Sequence, residues 1–490
     1  MGAVGPPFGA ETGNNYQLSI AYILLKYLRK KESRLWCDLM SRPSWVKGGP
    51  RVIKKIPGPK AKELVARDER VMSPSYTRAE PIAAEEGWGC YVRDLDGNVL
   101  LDLSSGMFVL NYGYSHPRII RAVVRQAKKL THFAGTDFYY PAQVELAERL
   151  VRITPGDFPK RVYFGNSGAE AVEAAFKCAR WHTRRPRMLA FTGAFHGRTF
   201  GAMSLSSTNV LHHRYFSPLV PGVTHLPYPY CYRCPFGQSY PGCGFLCVEF
   251  IKDYLKKVVP PEEVAAVIAE PIQGNSGYII PPPGYFQLIK ELCDEHGWLF
   301  IVDEVQTGLG RSGKMFAIEH WGVVPDIVCV AKALSCGIAP IGAIIAKAEV
   351  MDWEPGAHAS TFGGNLVACA AAIEGLKILE QENLVKRAAE LGEMALKRLR
   401  ELEENSRIVG EVRGMGLMLA VEIVKDKRTK VHGVKERDMI VGEALNRGLI
   451  VFRGGNASIR IAPPLIISRR ELDLGLDLFE ESLREVEKKC

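Results

Sequence analysis

Residues Leu299-Phe300-Ile301-Val302-Asp303-Glu304-Val305-Gln306 decide how this chain folds. The apolar run, led in by Trp298, reads as a buried strand and delivers a carboxylate, Asp303, at its carboxyl end. Open α/β sheets bind their ligands at that end. A carboxylate buried there must meet a cation or a set of hydrogen-bond donors. A protonated pyridine nitrogen meets the requirement, and so does a role as cap of the next segment. The strand by itself leaves both open.

Outward from this strand the pattern repeats. Residues 161–164, 188–191, 264–270, 298–303, 327–331 and 342–346 are short apolar runs, and helical spacing fits between several of them, as over 168–183 and 286–296. This alternation predicts an α/β fold with a mostly parallel sheet covered by helices. Upstream, residues 89–94 and 99–103 read as strands joined by the turn Asp96-Gly97-Asn98, with helices over 117–130 and 142–153. Downstream, long charged helices over 383–404 and 436–447 flank a short strand at 417–424. These form a smaller α+β lobe that the upstream hairpin can join. The expected division is an extension at 1–50, a segment at 51–125 joining the small domain, a large domain at 126–380 and a small C-terminal domain at 381–490.

Two further strand ends carry chemistry. In Phe164-Gly165-Asn166-Ser167-Gly168-Ala169-Glu170 a strand gives way to a helix, and Ser167 with Glu170 has the spacing of a capping box. Free amides and the dipole at a helix start suit a phosphate. In Asp326-Ile327-Val328-Cys329-Val330-Ala331-Lys332 an apolar strand ends on a lysine. A lysine in a dry pocket loses its proton readily, which suits Schiff-base chemistry. Each feature alone has an ordinary structural explanation: a helix cap, a segment cap, a lysine at a sheet edge. Together, a phosphate cradle, a carboxylate and a lysine at the strand ends of one sheet match the anchors of pyridoxal phosphate.

With these motifs the chain resembles the class III aminotransferases, the fold-type I pyridoxal-phosphate family that includes ornithine, acetylornithine and 4-aminobutyrate aminotransferases and related archaeal amino acid racemases. The likeness spans about residues 55–485 and rests on ordered motifs: Asn166 to Glu170, Phe195-His196-Gly197-Arg198-Thr199, Glu270-Pro271-Ile272-Gln273-Gly274, Asp303 to Gly308, Lys332, Thr361-Phe362-Gly363-Gly364-Asn365, and Arg460 ahead of Pro463-Pro464-Leu465.

The resemblance implies roles. Lys332 would carry the cofactor as a Schiff base and then move the substrate's α-proton. Asp303 would keep the pyridine nitrogen protonated. Ser167, Gly168 and Ala169 would bind the phosphate, with Thr361 reaching it from a neighbouring subunit. Phe195 and Val305 would cover the two ring faces, Gln306 would bond the ring oxygen, and His196 and Glu270 would belong to the same site. Arg460 would grip the substrate carboxylate. A homodimer or dimer of dimers follows, because such sites lie between subunits. The implied reaction moves an amino group from an amino acid to a 2-oxo acid, with racemisation as the alternative.

Asn275 departs from the pattern. Ornithine and 4-aminobutyrate aminotransferases have a Glu there that pairs with the carboxylate-binding arginine. A neutral amide leaves Arg460 available, which favours α-amino acids. Leu366, where the family has Pro, is expected to alter only a loop. Met107, within residues 106–108, together with Tyr76 and residues 138–140, is expected to line the substrate entrance, and its apolar character suits a medium-sized side chain.

Composition bounds the rest. Of the net charge of +9, a surplus of eight lies in residues 1–70, with 14 Lys or Arg against 6 Asp or Glu, so the body is nearly neutral and gives no support to nucleic-acid binding. A basic amphipathic helix is possible over 22–35, yet a dispensable tail, with Met40 as a start, is the favoured reading of the extension. No run suits a membrane span or a secretory signal, which with scattered cysteines points to the cytoplasm. Within an insert at 227–247, Cys231, Cys234, Cys243 and Cys247 have a spacing that fits a structural zinc with four thiolates, or two local disulfides.

Overall fold

The first sheet begins with β1 (Ala84–Trp88), β2 (Tyr91–Asp94) and β3 (Val99–Asp102) in the computed structural model, which describes residues 41–490. The expected turn forms between β2 and β3. Gly97 takes φ +90°, and the Asp94 carboxylate accepts the backbone N–H groups of Asp96 and Asn98 at 3.0 and 2.8 Å.

The central layer contains β4 (Lys160–Gly165), β5 (Arg187–Phe191), β6 (Val223–Leu226), β7 (Val264–Ala269), β8 (Leu299–Asp303), β9 (Ile327–Val330) and β10 (Gly342–Lys347). Their order is β4-β10-β9-β8-β7-β5-β6. β10 runs antiparallel to both neighbours, and the other pairings are parallel. β7, β8 and β9 are buried at every position, as strands covered on both faces must be. Successive side chains point to opposite faces. Ile301 joins the core formed with Ala171, Ala174 and Ala175 of helix Gly168–Thr183. Phe300 instead meets Phe286 of helix Tyr285–His296, with ring centres 6.0 Å apart. β6 was not anticipated. Its sequence, Val-Thr-His-Leu, lies at the sheet edge, where continuous apolarity is not required.

The reversal of β10 places its first residue, Gly342, opposite Gly165 at the end of β4. The starts of β10 and the ends of β4, β8 and β9 therefore share one edge of the sheet. The turn carrying Ser167 and the residues Asp303 and Lys332 all leave from that edge.

The remaining strands are β11 (Val409–Met415), β12 (Met418–Ile423), β13 (Leu449–Ile450), β14 (Phe452–Gly454) and β15 (Ser458–Ile461). β12 is the strand expected at 417–424, and the charged helices lie at Leu384–Asn405 and Val434–Asn446. β13 runs parallel to β3, so the first sheet joins both ends of the chain. The other sheet, β11-β12-β15-β14, is antiparallel. Buried Arg311 ties it to the rest, donating to Leu417 O at 3.0 Å, Pro463 O at 2.6 Å and Asn111 Oδ1 at 2.7 Å.

Residues 48–490 form one unit; the described part of the other, residues 1–47, contains a single 3-10 turn, Ser44–Val46. The basic helix considered at 22–35 lies outside the described residues. No described helix is long and apolar enough to cross a membrane.

Gly342 is the tightest point of the shared edge. A Cβ there would stand 2.1 Å from Ser167 O and 2.7 Å from Ser167 C, both backbone atoms that cannot swing aside. Gly342→Ala is therefore expected to cost roughly 1–3 kcal/mol and to push the Ser167 turn outward. A lowered denaturant midpoint together with weakened phosphate affinity is the expected result. An unchanged protein would mean that this contact does not set the turn.

Candidate active site

Asp303, at the end of β8, is 4% exposed. Its Oδ2 lies 2.7 Å from His196 Nδ1, and its Oδ1 accepts Val305 N–H at 3.0 Å. His196 comes from the loop after β5, where its own N–H donates to Ser206 Oγ at 2.8 Å. The imidazole Nε2 is buried and has no partner. Glu270, just past β7, accepts Phe195 N–H at 2.8 Å and Gly274 N–H at 2.9 Å. Burial raises its carboxyl to about 7, against the opposing pull of His196.

Lys332 follows β9 in a left-handed conformation, φ +39°. Its Nζ donates to Gln306 Oε1 at 3.2 Å, and Gln306 Nε2 donates to Tyr278 Oη at 3.2 Å. The side chain is half-buried, but the amine end is desolvated. Burial lowers its pKa to about 8, although Asp303 and Glu270 pull it upward.

Ser167 caps helix Gly168–Thr183, its Oγ accepting Glu170 N–H at 3.1 Å. The expected capping box forms only in half. The Glu170 carboxylate reaches one residue further back, to Asn166 N and Nδ2 at 2.7 and 2.9 Å. The amides at the helix start lie in its first turn, where no intrahelical acceptor exists. A Cβ on Gly168 would come within 2.8 Å of Val305 Cγ1, so Val305 closes directly onto this turn. Thr361 is exposed, in a loop docked by the bond from Asn166 Nδ2 to Ser360 Oγ at 2.9 Å. Phe195 is half-buried and lies under the Arg198 guanidinium, 5.4 Å from its ring centre.

Arg460 sits on β15 at 6% exposure. It donates to Arg453 O at 2.9 Å and to Gly274 O at 3.1 Å, and burial lowers its pKa. Gly274 links it to Glu270. Asn275 accepts Gly455 N–H at its carbonyl, 2.8 Å away. It also lines a cavity of about 470 Å³ with Gln273, Ser276, Thr208, Glu422 and Arg453. Of the expected entrance residues, Met107, Tyr76 and Phe138 are about half exposed, Tyr139 is almost fully exposed and Tyr140 is buried. Tyr278, fully buried against both Gln306 and Arg460, escaped the sequence reading; nothing in its local pattern marks it.

The four cysteines of the insert are free thiols lining one small apolar cavity of about 20 Å³. Among the described residues no group of three or more His, Cys, Asp or Glu can hold a metal ion. The expected zinc therefore finds no site, and the alternative disulfides are not formed. Cys336, close to Lys332 in sequence, turns away and donates to Ala371 O at 3.3 Å.

The donor set has the chemistry that pyridoxal phosphate requires. A desolvated amine answers the aldehyde, a buried carboxylate answers a pyridinium, and a helix start answers a phosphate. All three stand at one sheet edge, so the residues fit the group.

A family model described as aminotransferase class-III matches residues 72–483. A leucine/methionine racemase of Thermococcus litoralis is 42% identical over 432 residues, covering 87% of this chain and 96% of the relative. A probable 4-aminobutyrate aminotransferase of Bacillus subtilis is 38% identical, covering 85% and 96%. An amine transaminase from an uncultivated Pseudomonas species, solved in its PLP-bound form, superposes with a TM-score of 0.78 at 33% identity, covering 86% of this chain and 98% of that one.

The lowered pKa of Lys332 gives a pH test. The neutral amine attacks an aldehyde, and its fraction grows as pH rises through the pKa. Apo-protein mixed with pyridoxal phosphate should gain its yellow band faster as pH rises, levelling off above about 8. Lys332→Ala should give no borohydride-reducible link at any pH. A rate still climbing past pH 10 would mean that the amine is not desolvated.

Proposed function

The chain belongs to the class III aminotransferases, and from that premise we propose that it works on α-amino acids held by Arg460 through their α-carboxylate, passing the amino group to a 2-oxo acid. The observation that carries the proposal is Arg460 itself, buried, with no ion pair among the described residues, beside a neutral Asn275.

Enzymes of this class use pyridoxal phosphate, which when bound supplies the electron sink for charge left on the substrate's α-carbon. Lys332 would attach it. Asp303, oriented by His196, would hold its ring nitrogen, and Ser167, Gly168 and Ala169 its phosphate. Phe195 and Val305 would pack on its faces, and Gln306 would bond its ring oxygen. Glu270 holds the loops of Phe195 and Gly274 together, which keeps the ring-packing side and the carboxylate-binding side in register.

Lys332 Nζ then takes the α-proton and returns it. Its desolvation suits both acts, because a pKa near 8 leaves acid and base forms populated at working pH. Gln306 keeps the amine in place during the exchange. Arg460 fixes the carboxylate and so sets which bond at the α-carbon faces the lysine. Met107 stands at the entrance, where an apolar substrate side chain would pass. Thr361 would act from a second copy of the chain, and its exposure, with that of Phe362 and Tyr139, suits a homodimer or larger even assembly. The free cysteines suit a reducing cytoplasm.

Racemisation is the second reading. What favours it is the similarity to the relative named leucine/methionine racemase. The same grip on the carboxylate serves it, but the α-proton must be returned to the opposite face.

A panel of L-amino acids, assayed by chiral chromatography with and without 2-oxoglutarate or pyruvate, separates the two. Keto acid that forms only with an acceptor supports amino transfer, and D-amino acid forming without one replaces it with racemisation. In either case Arg460→Leu is expected to lower kcat/KM for the α-amino acid by roughly 100-fold, as loss of a buried charge-assisted pair does. A change under threefold would remove Arg460 from substrate binding.

A further inference from the structure

What holds Arg460 is unusual for a buried cation. No carboxylate touches it among the described residues. Two carbonyls take its Nε and Nη1, and two rings flank its guanidinium. The Phe108 centroid is 4.6 Å away and that of Tyr278 is 5.8 Å. Phe108 also meets the Tyr278 and Phe452 rings edge-on at 5.8 and 6.0 Å. An aromatic face attracts a desolvated guanidinium without neutralising it.

Phe108 reaches that position by a route that no side-chain propensity favours. Ser105, Gly106, Met107 and Phe108 have φ of +50°, +54°, +68° and +66°, so four consecutive residues are left-handed and three of them carry a Cβ. Crowding of Cβ against the carbonyl disfavours this for each L-residue. Strain of this kind persists only where the surroundings over-determine it, and it points to a use.

The surroundings here are explicit. The Asp102 carboxylate accepts Ser104 N–H and Oγ–H at 2.6 and 2.5 Å, Gly106 N–H at 2.8 Å and Tyr114 Oη–H at 2.7 Å. Ser105 Oγ donates to the carbonyl of Ala462, two residues beyond Arg460. The turn is thereby fastened to the same stretch of chain that carries the arginine.

We propose that Phe108 is a specificity-determining residue whose ring takes the place of an acidic partner on Arg460, holding the guanidinium fixed and un-neutralised for the substrate's α-carboxylate. A carboxylate partner would compete with the substrate; a ring does not. The cation remains charged whether or not substrate is bound, so it discriminates against amines that carry no carboxylate to meet it. The proposal rests on the reading of Arg460 as the carboxylate site.

The test separates the two claims. Holoenzyme is titrated calorimetrically with 4-methylpentanoate, an apolar carboxylate without an amino group. Phe108→Met keeps bulk without a ring, and Phe108→Tyr keeps the ring. The wild-type protein and Phe108→Tyr should bind alike, Phe108→Met about tenfold more weakly, and Arg460→Leu not at all. With L-leucine as substrate, Phe108→Met should raise KM by a larger factor than it lowers kcat, and Phe108→Tyr should restore it. Wild-type affinity in Phe108→Met, with binding lost in Arg460→Leu, overturns the role of the ring alone. No binding to the wild type, or full binding to Arg460→Leu, overturns the reading of Arg460. Should Phe108→Met fail to fold, Phe108→Leu serves in its place, and a Phe108→Tyr protein that loses binding while keeping its melting point also counts against the ring.

Discussion

Four ionisable groups share a dry space at one edge of the central sheet: Asp303, His196, Glu270 and Lys332. Most of the molecule can be understood as the means of keeping them there. The 2.7 Å pair between Asp303 and His196 is the pivot. A carboxylate at 4% exposure is costly to bury without partners for its oxygens. His196 meets one oxygen and the Val305 amide the other. Glu270 shares the same dry space, where burial raises its carboxyl to about 7 against the opposing pull of His196. Both its oxygens are spent on backbone amides, so it acts as a clamp between two loops. The site thus contains two carboxylates with unlike environments, one facing an imidazole and one joining segments of chain.

That arrangement demands rigid strand ends. β7 and β8 bring Glu270 and Asp303 to neighbouring positions because they are parallel and paired in register, Ala269 against Val302. β9 does the same for Lys332, with Asp303 opposite Cys329. Reversed β10 then closes the edge with Gly342, where only a glycine lets the Ser167 turn approach.

The parts legible in the sequence are those in which local pattern and position in the fold coincide. Apolar runs ending in Asp303 or Lys332 declare both a strand and the sheet edge at which the charged residue emerges. The expected helix bounds differ from those seen by a residue or two, as helix ends commonly do. β6 was missed because Thr224 and His225 break its apolar run at an edge that tolerates them. The capping-box spacing at Ser167 named the right residues, but Asn166 competes for Glu170, and spacing cannot register a competitor. The cysteine insert shows the limit most plainly. Its spacing is that of a metal ligand set and brings all four thiols to one cavity, yet among the described residues no three groups are disposed to hold a metal, because spacing fixes nearness and not the aim of each side chain. The left-handed turn at 105–108 was illegible in a stronger sense, since three of its four residues are ones for which local preference argues against the observed conformation.

Arg311 and Arg460 show why such a turn is tolerated. Both are cations buried without carboxylates, and both donate mainly to carbonyls. Arg311 makes four contacts, to Leu417 and Pro463 from Nη1 and to Asn111 and Ser105 from Nη2, and so commits both terminal nitrogens to joining the sheets. Burial lowers its pKa to about 10, which still leaves it charged. Arg460 makes fewer bonds and has rings where Arg311 has acceptors. The same guanidinium chemistry therefore serves two ends. Where both terminal nitrogens meet acceptors the residue is a fixed joint, and where aromatic faces stand in for acceptors the guanidinium is held without being neutralised. The strained turn belongs to both. Ser105 takes a bond from Arg311 at 3.3 Å, and Phe108, three residues on, covers Arg460. The joint that sets the sheets together also sets the ring on the arginine, so the surroundings of Arg460 follow from the packing of the whole fold.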